Sequence, residues 1–501
     1  MRIGLLTTGE SRLWCDRLVR GLPQHEFEVY AMHHEPGPHP GAGAQDGGRA
    51  VAVHPAAPGA TPEGGGRRLG RRARRAFAQD LGRLLTGVCA AGAANADAAA
   101  LDVAAFDEGL HGLAGLARDH GGLASALRSE PALRVAEAAC RAPGASPAAA
   151  AATVPDLLAF TEELERALRP LSFDWYEGLG RADVCHAAGG GVLALPGLVA
   201  KRFFGVPLLV TEYGVPLRAY YLRTAPAARP AVRALLAGFH RRLAAVLYRE
   251  ADLLTPGNAH VRRWQERCGA PRERQRTVYP GMEADRFAGV GEAPEAGDPD
   301  TLVWVGRAEP AKDLIGLLHA FAEIRRTAPQ ARLRLFVTAA ARAYLADCRS
   351  LAAQLFPDEA ADAVSAGESP VTFEELGGPE TPTAAEAYGT GRVAVLSSVV
   401  EGFPVGLVEA MLSGRATVST DVGAVREVVG GTGLLVPPRN PKALAEACLA
   451  LLTDPERAHR LGAAARARAD APSRCARPGP AGRARQAPAR ASGVRRAARR
   501  P

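Results

Sequence analysis

The sequence predicts an α/β protein of two doubly wound domains facing each other across a cleft, the first carrying a helical insertion. Three observations predict it. Short apolar runs alternate with helical stretches in both halves of the chain, as in parallel sheets covered on both faces. The alternation breaks at 290–300, VGEAPEAGDPD, an acidic Gly/Pro-rich stretch that reads as a linker, and then restarts. A chain of 501 residues is also too long for one ordinary domain.

Taken in order, RIGLL (2–6) is a first strand, SRLWCDRLVRGL (11–22) a helix and FEVYAM (27–32) a second strand, a β-α-β opening. Residues 36–66 are rich in Pro, Gly and Ala and read as a long loop. An Ala-rich helical stretch covers about 68–170, and strands then return at 182–187, 207–214 and 251–257, the last preceded by a long helix over 229–250. Beyond the linker, strands are expected at 301–306, 332–337, 371–373, 393–398, 416–420 and 433–436, with helices between them. The expected domains are therefore 1–290, with its insertion, and 301–470.

Residues 471–501 hold nine Arg and no Asp or Glu, so the net charge of +8 belongs to this tail and the remaining 470 residues sum to −1. That distribution argues against a nucleic-acid partner, and nothing in it indicates membrane association, although a peripheral contact is compatible with it. The tail has one aliphatic residue larger than Ala after Pro472, Val494. It cannot bury an apolar face and is expected to be disordered. The basic cluster at 67–77 reads as a solvated helix face. Eight scattered cysteines, with no CxxC and no metal-like spacing with His, read as free thiols. The start lacks the apolar core of a signal peptide, and no apolar run is long enough to span a bilayer. These features together give a cytoplasmic expectation.

Three strand ends in the second domain carry candidate chemistry. VWVGRAEPAKD (303–313) places Gly306 at a turn, with Arg307 and Lys312 beyond it. Two cations there suit a diphosphate, Arg as a fork and Lys as a point charge. Lys312 is one of only three lysines. VAVLSSVVEGFPVGLVEA (393–410) reads strand, loop, helix, with Pro404 at the first helical position. Glu401 lies just before that helix and Glu409 one turn inside. An anion site at the helix start flanked by two carboxylates suits a ligand with both phosphates and hydroxyls, such as a nucleotide sugar. STDVGAVREVV (419–429) adds Gly423 and Glu427 as weaker candidates. His186 alone reads as a satisfied interior histidine rather than a catalyst.

On these residues the chain resembles a retaining glycosyltransferase of family 4 with the GT-B fold, two Rossmann-like domains about a cleft. EGFPVGLVE matches that family's E-x7-E element and VGRAEPAK its VGR…K element. WCDRLVRGL, the stretch at 186, PLLVTEYG and the 229–250 helix resemble the bacterial subgroup of the Pel exopolysaccharide glycosyltransferase, which has an N-terminal region of unknown function. The resemblance covers about residues 1–470. It implies that Glu401, Arg307 and Lys312 are catalytic, and that Gly306, Gly402, Phe403, Pro404, Leu407, Val408 and Glu409 bind the donor. Gly9, His186, Glu212, Tyr213 and Arg218 would line the acceptor side. It further implies a nucleotide-sugar donor, with UDP as the nucleotide, an acceptor hydroxyl, retention of configuration, and no metal or other cofactor.

The chain also departs from the family. Tyr213 stands where a His is common, and the usual Pro-Asn-Gly before the linker reads Tyr279-Pro280-Gly281. The first strand leads into a loop with Gly9 alone rather than paired glycines. These departures motivate a second reading, a degenerate homologue that binds nucleotide without turnover. A third, a nucleotide-sugar epimerase, needs an acid/base set that the sequence does not display.

Overall fold

The computed structural model describes residues 1–8, 11–32, 52–56, 69–91, 96–223, 229–290, 297–357, 369–378, 381 and 383–470. The expected tail 471–501, Gly9 and most of the 36–66 loop lie outside the described residues. The described residues form two six-stranded sheets whose strand pairs are all parallel.

The first sheet opens with β1 (Arg2–Thr8), α1 (Arg12–Gly21) and β2 (Glu26–Met32). A third strand, β3 (Ala52–Ala56), lies where the sequence suggested only loop. It is an edge strand, the one place where its Pro55 costs the sheet little. The helical region follows as α2 (Arg71–Cys89), α3 (Ala96–His120), α4 (Leu123–Leu127), α5 (Glu130–Cys140), α6 (Pro147–Ala150), α7 (Val154–Leu168) and α8 (Tyr176–Leu179). Local signals set its boundaries: Thr153 and Asp156 form a capping box at the start of α7, after which Pro155 occupies the first turn. The inward faces of α2, α3, α5 and α7 carry Phe77, Leu84, Phe106, Leu110 and Phe160 into one apolar core shared with the first sheet.

The sheet is completed by β4 (Val184–Ala187), α9 (Leu195–Phe204), β5 (Leu208–Glu212), α10 (Pro216–Arg223), α11 (Pro230–Glu250) and β6 (Leu253–Pro256), with α12 (Ala259–Arg267) after it. Its strand order is β3-β2-β1-β4-β5-β6.

The second sheet has the order β12-β11-β10-β7-β8-β9. Its elements are β7 (Asp298–Ala308), α13 (Leu314–Thr327), β8 (Arg332–Ala340), α14 (Arg342–Leu355), β9 (Val371–Glu375), α15 (Ala384–Gly389) and β10 (Gly391–Leu396). There follow α16 (Val405–Leu412), β11 (Ala416–Thr420), α17 (Val425–Val429), β12 (Leu434–Val436), α18 (Pro441–Leu452) and α19 (Pro455–Asp470). β7 begins at Asp298, inside the stretch read as linker. α16 begins at Val405 with Pro404 as its cap, one residue later than the sequence suggested. The central strands are buried on both faces, which is why they read as unbroken β-branched runs such as VAVL. In both sheets the reversal of strand order leaves a crevice at the carboxyl ends of the central strands, and the candidate residues collect there.

Candidate functional site

One wall of the cleft is made by the ends of β7 and β10. The ladder slips register between Gly306 and Arg307, and pairing with β8 then continues to Ala308, where β7 ends. Lys312, at the end of the turn before α13, donates through its ammonium to Glu401 Oε1. Ser398 Oγ donates to the same oxygen at 2.7 Å. The neighbouring Ser397 Oγ donates to the carbonyl of Lys312 at 2.7 Å. Two consecutive serines at the end of β10 thus fix both halves of the ion pair, the lysine through its backbone and the glutamate through its carboxylate. Glu401 is buried, and the Lys312 side chain is 19% exposed. Arg307 points outward, with a side chain 58% exposed and Glu309 3.6 Å away. The structure therefore brings Lys312 and Glu401 together and leaves Arg307 on the rim.

Glu409, in α16, is half-buried. Burial pushes its carboxyl up to about 7, against the opposing pull of Arg286 and Arg17. Phe403, Leu407 and Val408 were expected along a donor, but their side chains are packed into the core behind α16. They share that core with Val425, Val428 and Val429 of α17.

The opposite wall comes from the ends of β4, β5 and β6. His186 was placed on the acceptor side, but its ring is buried and its Nε2 shares a 2.8 Å hydrogen bond with Thr211 Oγ1. Burial lowers its pKa to about 4. Glu212 is buried as well, accepting from Tyr248 Oη at 2.8 Å and from Gln265 Nε2 at 2.7 Å. Burial raises its pKa to about 7, against the pull of those two hydrogen bonds. Both residues satisfy the interior of the first domain instead of facing the cleft. Tyr213 sits edge-on to Trp14, with ring centroids 5.9 Å apart.

The walls meet at backbone. A Cβ added to Gly402 would lie 2.5 Å from the Tyr213 carbonyl oxygen, so glycine permits this approach. Gly423 adopts φ +58° where a Cβ would press on the Glu401 carbonyl. Arg218 Nη1 donates to that same Glu401 carbonyl at 3.4 Å. Glu427, at the start of α17, accepts from the backbone N–H of Ala259 at 2.9 Å, at the N-terminus of α12. Tyr279 Oη donates to it too. Arg17 of α1 pairs with Glu283 at 3.3 Å. The structure thus gives Glu427 a bridging place between the two sheets. Its partner Ala259, and the supporting Ser397 and Ser398, carry no signal in the sequence beyond being polar or helix-starting positions, and Tyr279 stands out there only as a departure from the family pattern.

Residues 299–454 match the family model of group 1 glycosyl transferases. Residues 123–273 match a domain of unknown function, DUF3492, which takes in β4 to β6 and α12. The D-inositol 3-phosphate glycosyltransferase of Geodermatophilus obscurus is 30% identical over 272 residues, covering 51% of this chain and 56% of that protein. The enzyme of the same name from Nocardia farcinica is 32% identical over 220 residues, covering 41% and 46%. The chain spans about half the length of these curated relatives. Among solved structures, sucrose-phosphate synthase from Thermosynechococcus elongatus superposes with a TM-score of 0.55 at 16% identity, covering 94% of both chains. An Escherichia coli trehalose-6-phosphate structure bound with UDP-2-fluoro glucose superposes at 0.53 and 13% identity, again over 94% of each. The two parallel sheets about a cleft are thereby those of the GT-B fold. Among the described residues no helix is long and apolar enough to cross a membrane.

Proposed function

We propose that the protein is a glycosyltransferase that moves a sugar from a nucleotide-sugar donor to an acceptor hydroxyl. The observation that carries this reading is the Lys312–Glu401 pair, fixed by Ser397 and Ser398 at adjoining strand ends and closed over by Tyr213 and Arg218 from the other domain. The group 1 match over the domain that holds the pair supports the same reading.

In this scheme Lys312 and Arg307 face the donor diphosphate and stabilise the charge that develops on the departing nucleotide, a preorganised electrostatic effect. Glu409, ionised, accepts from the ribose hydroxyls. Glu401, with the backbone of Gly402 and Phe403, holds the sugar. The nucleotide is UDP, as in the sugar nucleotide bound to the E. coli neighbour. The acceptor attacks on the face from which the nucleotide leaves, so configuration is retained, and the leaving phosphate takes the acceptor's proton. No cofactor enters the scheme. A role in polysaccharide or glycoconjugate synthesis, in the cytoplasm, completes the proposal and follows the Pel-like and family 4 resemblance.

Slow donor hydrolysis tests it without knowledge of the acceptor. The protein is incubated with a panel of nucleotide sugars and the free nucleotide is measured. Hydrolysis that disappears in both Lys312→Ala and Glu401→Ala is the expected result. Hydrolysis equal to the parent's in both variants would sink the site assignment. Calorimetric nucleotide binding with no hydrolysis of any donor would make the chain a binding homologue.

A further inference from the structure

The cleft wall contributed by the first domain is cationic in a way the donor scheme does not use. Of the seven Arg from Tyr213 to Arg249, Arg229, Arg242 and Arg249 pair with Asp156, Asp102 and Asp107, whereas Arg218 reaches the second domain and donates to the Glu401 carbonyl. α10 and α12 pack against each other through Val215, Leu217 and Val261. On α12, His260, Arg263 and Arg267 follow one another at i, i+3 and i+7, one helix face. Arg218 of α10 joins them. Burial first, then the charges of Arg218, Arg263 and Arg267, hold the His260 imidazole below its usual range, with Glu427 pulling the other way. All three guanidinium groups therefore stand within electrostatic reach of one ring.

Among the described residues, the carboxylates near this group, Glu401 and Glu427, have their hydrogen-bond partners elsewhere. Glu401 is engaged by Lys312, and Glu427 by Ala259 and Tyr279. Among the described residues neither Arg263 nor Arg267 pairs with a carboxylate; both are exposed, and Arg267 lies over the Trp264 ring at 5.6 Å. His260 Nε2 is buried with no hydrogen-bond partner among the described residues, an arrangement that is costly unless a ligand completes it. Arg218 ties the cluster to the transfer site, because it donates to the carbonyl of Glu401, whose carboxylate is assigned to the donor sugar.

We propose that Arg218, His260, Arg263 and Arg267 bind an oxyanion, a phosphate or a carboxylate, carried by the acceptor. Guanidinium forks match either group in geometry and charge, and a cluster beside Glu401 but on the opposite domain is placed for the acceptor. The inference rests on the glycosyltransferase reading and makes the acceptor class anionic.

The test uses the full chain with isotope-labelled histidine, His260 being assigned by its loss in His260→Gln. Inorganic phosphate is titrated at constant ionic strength against chloride, and glucuronate is titrated as the carboxylate probe. The expected result is a saturable shift of the His260 resonance and an upward move of its pKa. Binding should weaken at least about tenfold in the Arg263→Gln/Arg267→Gln double variant, the loss of a charge-assisted hydrogen bond. Each single variant should weaken it by a smaller factor, which keeps the comparison if the double variant does not fold. A response to phosphate alone identifies a phosphorylated acceptor, and a response to glucuronate alone an acidic sugar. No response to either, an equal response to chloride, or an undiminished response in the variants overturns the proposal. Donor hydrolysis by the unsubstituted protein is read in parallel. Hydrolysis with a silent His260 overturns the subsite alone, and a responsive His260 without hydrolysis overturns the transferase reading alone.

Discussion

The two walls of the cleft carry acidic residues of opposite character. In the wall of the second sheet, Glu401 accepts from the Lys312 ammonium, and both are pinned by serines from the same strand end. In the wall of the first sheet, Glu212 is held at about 7 by burial and accepts from a tyrosine and a glutamine. One carboxylate is paired with a cation, and the other has its pKa raised by desolvation. The difference separates working charge from structural polarity: the first faces the cleft, and the second holds β5 to α11 and α12.

Breaking the charged wall should have the largest effect. Lys312→Ala leaves Glu401 buried without its cation and removes the charge proposed to face the donor. Donor turnover should fall about 100-fold or more, read by released nucleotide, and Lys312→Arg should recover part of it. Next comes the contact between the walls. Gly402→Ala drives a methyl against the Tyr213 carbonyl and should cost about 1–3 kcal/mol of stability, read by denaturant unfolding. A full-stability variant would show that the walls do not meet as described.

Two titrations sharpen the contrast. Glu409 has its carboxyl at about 7. If its ionised form accepts from the donor, nucleotide affinity should rise as pH passes from 6 to 8, and Glu409→Gln should flatten that rise in calorimetry. For Glu212 the sign concerns stability. Its folded pKa of about 7 lies above its ordinary value of 4.5, so the folded state holds more protons between them. The contribution of Glu212 is therefore greatest at low pH and is lost as pH climbs toward 7. Glu212→Gln should remove that slope, so unfolding curves at pH 5 and pH 8 should move closer together. The smallest expected effect is at Ser398. Ser398→Ala deletes one hydrogen bond to Glu401, about 1 kcal/mol, and turnover should drop only several-fold, with Ser398→Thr restoring it.

The same contrast explains what could be read in advance. β10 of the second domain was legible because its VAVL is a continuous apolar run buried on both faces. The edge strand Ala52–Ala56 was not, because AVHPA has little apolar pattern and a proline. EGFPVGLVE and VGRAEPAK were legible as sites because strand end, turn and helix start are local. The pairing of Lys312 with Glu401 spans 89 residues and that of Glu427 with Ala259 spans 168. Neither leaves a trace in either segment alone. His186 and Glu212 lie at strand ends like true cleft residues. Only the arrival of Thr211, Tyr248 and Gln265 around them decides that they face inward.

The strand order of the first sheet has a consequence for how the chain is made. β1 finds β4 only across the whole helical region: the Arg2 N–H donates to Asp183, 181 residues on. β7 pairs with β8 about thirty residues downstream, Thr301 opposite Arg332, and with β10 about ninety residues downstream, Asp298 opposite Gly391. At ribosomal rates of about 5–20 residues per second, β1 has β2 as a neighbour within seconds but waits roughly 10–40 s for β4. During that interval one edge of the nascent parallel pair is open to other chains, for about twice as long as the corresponding edge of β7.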